Sequence, residues 1–175
     1  MSSGTWMNKD GLYLEFGTTK PTVEAAGEYR SPGTNRIIEV VFDLAGLSTS
    51  AAAPTIIANT TRFPGGIVQV EEVQIFVETV PTGTGALSIG LMQDDRVTVI
   101  DAAAFVSAAA LTTFDAIGEW QSLHVGSAGA GTLIGVKPTT ALNAGYITAF
   151  TGAAGYTTGR LRVRIFYHGY GSITQ

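Results

Sequence analysis

Three arginines stand on alternate residues of the stretch Arg160-Leu-Arg-Val-Arg-Ile-Phe-Tyr-His168. Alternate residues of an extended strand share a face. Arg160, Arg162 and Arg164 therefore form a cationic stripe, and Leu161, Val163, Ile165 and Tyr167 form an apolar one behind it. The chemistry open to such a stripe is ion pairing, and it needs acids. Glu72 and Glu78 can supply them if their strand lies beside this one, in the same chain or in a neighbouring one. Otherwise a partner protein supplies the acids, or the arginines are simply solvated. Exposed pairs contribute only about 0–1 kcal/mol each.

Residues suited to reactive chemistry are few. There are no cysteines, which removes disulfides, thiolate metal sites and cysteine nucleophiles together. The 2 histidines, His124 and His168, fall in no HExxH spacing and read as rim residues. Gly126-Ser-Ala-Gly129 lacks the strand–turn–helix context of a nucleophile elbow. No GxxxxGK[ST] loop is present, and the glycines of GSAGAG at 126–131 stand in the wrong order for a dinucleotide fingerprint, so the segment reads as a flexible loop. Asp94, Asp95 and Asp101 carry the hard oxygens that Ca²⁺ prefers, without the spacing of a calcium loop. Asp101 reads instead as a helix cap, and Arg96 can neutralise a neighbouring acid. The Asn59-Thr-Thr sequon carries little weight, because MSSGTWMNKD lacks the basic and apolar regions of a signal peptide. No catalytic residue, metal or cofactor is expected.

The bulk numbers agree with a protein that works by contact. The 175 residues suit one domain, which can bury roughly two thirds of its unfolded surface. Net charge is −4 and the pI about 5.0, which argues against a general nucleic-acid-binding surface. Charged residues make up 14 % of the chain, against about a quarter in ordinary soluble domains, and mean hydropathy is +0.25. Such a chain is expected to hide surface against other subunits. The longest apolar run, near 99–111, is broken by Asp101 and too short to span a bilayer.

The elements that position these residues are read from periodicity. Residues 1–35 are rich in Gly, Thr and Pro and read as an N-terminal arm or extended hairpin, with a strand at 12–16 and a turn at 9–11. Residues 36–175 read as one β-sandwich domain. In IIEVVFDL (37–44), Ile38, Val40, Phe42 and Leu44 share one face while Glu39 and Asp43 share the other. A short strand is expected at 55–59 and a turn at 62–66. IVQVEEVQIFVETV (67–80) changes phase at Glu71-Glu72, where a β-bulge would return both halves to one core face. LSIGLM (87–92) alternates again. The alanines after Asp101 favour one short helix over about 102–112. TLIGV (132–136), YITAF (146–150) and residues 160–168 complete the strands. The class expected is all-β: an antiparallel two-sheet sandwich, jelly roll by preference, with one short helix and an extended arm.

Trp6, Phe76 and Trp120 stand apart from this core. Phe76 has the outward parity of Gln74 and Glu78, which suits a subunit contact as well as a solitary exposed ring. Trp6 lies in the arm, where it can pack on its own domain or anchor the arm in a neighbour. Trp120, Tyr156 and Tyr170 would form a sugar-stacking platform if they came together.

The order of phrases carries a resemblance. GTWMNKDGLYLEFGTT, NRIIEVVFDLAGL, GGIVQVEEVQIFVETV, ALSIGLMQDDRVTVIDAAAFVSAAAL and GYITAFTGAAGYTTGRLRVRIFY resemble the capsid decoration, or cement, proteins of tailed phages, mostly from residue 36 onward. The resemblance implies a jelly-roll protein that assembles as a homotrimer on the outer surface of the virion head. It would bridge major capsid protein subunits and bind neither nucleic acid nor membrane. Trp6, Glu72, Phe76, Glu78, Arg160, Arg162 and Arg164 are then the candidate interface residues. The alternative from a different class is a carbohydrate-binding sandwich of a phage fibre or tail.

Overall fold

The computed structural model describes residues 4–7, 13–16, 36–112, 114–136 and 142–170; for 4–7, 13–16 and 170 it describes the backbone alone. Every regular element among the described residues is a strand: β1 (Gly4–Met7), β2 (Tyr13–Phe16), β3 (Arg36–Asp43), β4 (Thr55–Ile56), β5 (Arg62–Phe63), β6 (Ile67–Gly83), β7 (Ala86–Met92), β8 (Val99–Ala110), β9 (Trp120–Leu123), β10 (Gly145–Phe150) and β11 (Tyr156–Tyr170). β1 and β2 pair antiparallel, Gly4 opposite Phe16 and Met7 opposite Tyr13. The turn expected at 9–11 lies outside the described residues.

The remaining strands form an antiparallel two-sheet sandwich. One sheet has the order β3-β11-β6-β9; the other has the order β4-β10-β7-β8, with β5 also pairing β10. From β3 to β11 the chain changes sheet at each step except β4 to β5 and β7 to β8. The period-two pattern decides the inner faces. Ile38, Val40 and Phe42 of β3 and Leu161, Val163, Ile165 and Tyr167 of β11 are buried against Leu87, Ile89 and Leu91 of β7 and Ile147 and Ala149 of β10. Burying one such aliphatic side chain is worth about 1.5–3 kcal/mol. Phe63 ties the layers together, its ring centroid 4.9 Å from that of Phe105 and 5.3 Å from that of Tyr167.

β6 carries the expected bulge. Phe166 faces Glu72 and Tyr167 faces Val70, which leaves Glu71 as the extra residue. Val68 and Val70 on one side of it, and Val73, Ile75 and Val77 on the other, are thereby all buried. A second register shift sets Arg160 opposite Thr79 and Leu161 opposite Val77, so that Glu78 is extra there. Both bulges add an outward carboxylate to a strand whose core face is unbroken.

The helix expected over 102–112 is absent; the segment is β8. Its pairing with β7 is interrupted: Val106 faces Ile89 and Asp101 faces Leu91, so residues 102–105 arch out opposite Gly90. A Cβ on Gly90 would lie 2.2 Å from the Asp101 carbonyl oxygen and 2.4 Å from the Ala102 carbonyl carbon. The small side chains that read as helix formers are there to let backbones approach. Asp101 caps a local turn of the arch, its Oδ1 accepting from Ala103 N at 2.8 Å. Two further expectations change, and the segment read as a loop at 126–131 is a loop. TLIGV is a turn with an isolated bridge from Ile134 to Val70, because Gly135 at φ 71° ends the alternation. GSAGAG is a loop stitched to β8, with Ser107 N donating to Gly129 O at 2.9 Å and Gly131 N to Phe105 O at 3.2 Å. The turn expected at 62–66 begins with the two residues of β5.

Candidate interface

The outward face of the β3-β11-β6-β9 sheet gathers most of the residues singled out above. The arginines of β11 meet acids from both flanking strands. Arg160 lies directly opposite Asp43 of β3 and Arg164 directly opposite Glu39, while Arg162 lies opposite Val41 and Phe76 and reaches its acids diagonally. Arg160 Nη1 is 3.4 Å from Asp43 Oδ1, and its Nε donates to Glu78 Oε2 at 3.2 Å. Arg162 Nε donates to Glu78 Oε1 at 2.8 Å, and Arg162 Nη1 pairs with Glu39 Oε1. Arg164 Nε donates to Glu39 Oε2 at 2.7 Å. The result is a continuous ladder, Asp43–Arg160–Glu78–Arg162–Glu39–Arg164, in which charges alternate and cancel.

The ladder shifts its own titrations. The hydrogen bond from Arg164 holds the Glu39 carboxyl below its ordinary value, helped by the charge and hydrogen bond of Arg162 and opposed by partial burial. The Glu78 hydrogen bond and the Glu39 charge strengthen the hold of Arg162 on its proton. Glu78 thus meets the expectation for an arginine partner. Glu72 does not: its Oε1 accepts from Ser122 Oγ at 2.6 Å and from Gln74 Nε2 at 2.9 Å, and those two bonds lower its pKa. Glu72 sits opposite Phe166, and its carboxylate is taken up by Ser122 and Gln74. The partners that complete the ladder, Glu39 and Asp43, carry the outward parity already visible in IIEVVFDL.

Aromatic rings continue this face toward the sheet edge. Phe76 is half-buried and outward, with the Arg164 guanidinium 5.0 Å above its ring centroid. Trp120, opposite Phe76 on β9, stacks on it with centroids 6.0 Å apart and planes at 19°. Trp120 is 57 % exposed on this edge strand. Beside it a shallow depression of about 450 Å³ is lined by Phe114, Glu119, Trp120 and Gln121. β9 is not legible in the sequence: its four residues are too few for a firm alternation, and Trp120 is the one signal among them. Trp6 lies in β1 opposite Leu14, and its side chain is outside the described residues.

Other candidates disperse. Tyr156 is only 5 % exposed and donates its hydroxyl to Gly85 O, so it cannot join Trp120 in a sugar platform. The side chain of Tyr170 lies outside the described residues. Asp94 pairs with Arg62, Asp95 caps its own turn, and Asp101 also accepts from Thr132 Oγ1. His168 Nδ1 lies 3.2 Å from Glu71 Oε1 at the first bulge of β6, while His124 is exposed. Among the described residues no group of three or more His, Cys, Asp or Glu is placed to hold a metal. No helix among them is long and apolar enough to cross a membrane.

No family model matches this chain, and no curated protein matches it. Two solved chains are similar to it. One belongs to the capsid of Ralstonia phage GP4: it is 20 % identical, covers 89 % of this chain and 93 % of its own, and has a TM-score of 0.44. The other belongs to the cyanophage Pam1 capsid asymmetric unit: it is 17 % identical, covers 88 % of this chain and 99 % of its own, and has a TM-score of 0.43.

Proposed function

We propose that this chain is a structural virion protein that decorates a phage head and stabilises it by bridging major capsid protein subunits. In this reading it acts as a homotrimer on the outer capsid surface, by contact and without catalysis. The phrases that resemble decoration proteins support the reading, and the strand order supports a jelly roll. β3-β11-β6-β9 over β4/β5-β10-β7-β8, with the chain passing back and forth between them, is how a doubled-over hairpin wraps into two sheets.

The observation that carries the contact role is the Trp120–Phe76–Arg164 stack on a charge-balanced sheet. Interfaces place aromatic and arginine anchors at their centres and deplete unpaired charge there. This face offers both, because each ladder arginine already has its acid before a partner arrives. Many copies on a lattice then convert modest contacts into durable attachment.

The test mixes purified protein with heads that lack it and images where it lands. Regular density on the outer shell at junctions between capsid subunits is the expected result, with sedimentation giving the mass of a trimer. A monomer that leaves heads bare sinks the reading. A glycan array is expected to be blank, since Tyr156 is buried and cannot join Trp120 in a sugar platform.

A further inference from the structure

The turn between β7 and β8 holds a second charged cluster, on the other sheet. Gln93 N donates to Thr98 O at 2.8 Å and Arg96 N to Gln93 O at 3.1 Å. Asp95 is used up inside the turn: its Oδ1 accepts from Val97 N at 2.9 Å and Thr98 N at 2.8 Å, and its Oδ2 from Thr98 Oγ1. Arg96 adopts φ 60°, the left-handed region that a residue with a Cβ enters only where its surroundings demand it.

That conformation delivers Arg96 to Tyr146 of β10. Its Nη2 donates to the phenol oxygen at 3.2 Å, and its Cζ lies 4.8 Å from the ring centroid. Arg62 of β5 does the same, at 2.9 Å and 4.8 Å, and pairs its Nη1 with Asp94 at 3.0 Å. The phenol ring is 5 % exposed, and both arginines are exposed above it. Among the described residues Arg96 forms no ion pair with a carboxylate, unlike Arg62 and the three arginines of β11. Two cations therefore converge on one neutral oxygen, and one of them has no carboxylate within salt-bridge distance among the described residues. Beside them opens a depression of about 260 Å³ lined by Gln93, Asp94, Asn143 and Ala144.

We propose that Arg62 and Arg96, with Tyr146 as the floor, form an oxyanion clamp for a carboxylate or phosphate group, free in solution or carried by an abutting copy of this chain. Guanidinium forks match the paired oxygens of such groups, and a bound anion relieves the repulsion between two like charges held together. The Tyr146 phenol already registers this field, since hydrogen bonds from Arg96 and then Arg62 lower its pKa. The clamp lies in a different sheet from the Trp120 stack and does not depend on the capsid role.

The experiment titrates the full chain with sodium phosphate against sodium chloride at matched ionic strength, following arginine side-chain N–H signals by NMR. Phosphate alone is expected to give saturable shifts at Arg62 and Arg96. Arg96→Gly suits the positive φ and keeps the turn, and is expected to weaken phosphate at least tenfold. Arg62→Gln, which removes the Asp94 pair but none of the hydrogen bonds inside the turn, is expected to do the same. Shifts that never saturate, that chloride reproduces, or that survive Arg96→Gly overturn the clamp. Sedimentation in the same two salts separates the sources: saturable binding with lowered mass in phosphate assigns the clamp to a neighbour's carboxylate, and saturable binding at constant mass assigns it to a free oxyanion.

Discussion

Each arginine of β11 is held by geometry that a strand supplies without special effort. Directly opposed residues of antiparallel strands lie close enough for their side chains to pair, and Arg164–Glu39 and Arg160–Asp43 are such pairs. Arg162, flanked by Val41 and Phe76, completes the ladder diagonally. Glu39 gives the ladder a pH signature. Its folded pKa lies below the ordinary value of 4.5, so its contribution is fully present above that value and is lost as pH falls through the lower folded one. In urea melts Glu39→Gln is expected to cost about 1 kcal/mol or less at neutral pH. The gap from the parent chain should close as pH drops below 4.5 and narrow in concentrated salt. A gap indifferent to both would mean that the ladder contributes through packing alone. The acids of this ladder were half legible. Parity in IIEVVFDL shows Glu39 and Asp43 facing outward, but Glu39 and Arg162 are 123 residues apart in the chain, and nothing local says that their strands are neighbours.

The strands themselves are legible where alternation is long and opaque where backbones crowd. β6 reads correctly through its phase slip because a bulge is the one device that keeps both valine sets inside. β8 misleads because alanine has high helix propensity, and propensity yields to tertiary contacts. Here the contact is the arch of residues 102–105 over Gly90, a fit between two distant segments that no window of sequence contains. Gly90→Ala is therefore expected to cost about 3 kcal/mol or more, since its methyl would meet backbone atoms that cannot step aside. Denaturant melts measure this, and a loss below about 1 kcal/mol would show that the arch gives way. The same strand holds Ala108 at φ 49°, with its N–H donated to Ser88 Oγ at 3.0 Å. Glycine accepts that conformation without the Cβ clash. Ala108→Gly is expected to gain about 1 kcal/mol and to raise Tm by about 2–4 °C. A lower Tm would mean that the entropy of the unfolded glycine outweighs the relief.

At the scale of the whole molecule, the charge-balanced face and the protruding Trp120 separate stability from attachment. Trp120→Ala is expected to change folding stability by about 1 kcal/mol or less, because the ring is more than half exposed. On the proposed decoration role, the same substitution is expected to weaken capture by heads more than tenfold, as measured by co-sedimentation. Equal losses in both would make Trp120 a packing residue. The order in which the strands are made adds a consequence of its own. β11 follows every other described strand in the chain, yet it lies between β3 and β6, which pair with it on either side. A ribosome that has reached residue 155 has therefore delivered two strands with a gap between them, each offering an open row of backbone donors and acceptors. The four-stranded sheet is continuous only once β11 is in place. A chain cut before residue 156 would carry two adhesive edges, prone to clump with other such chains.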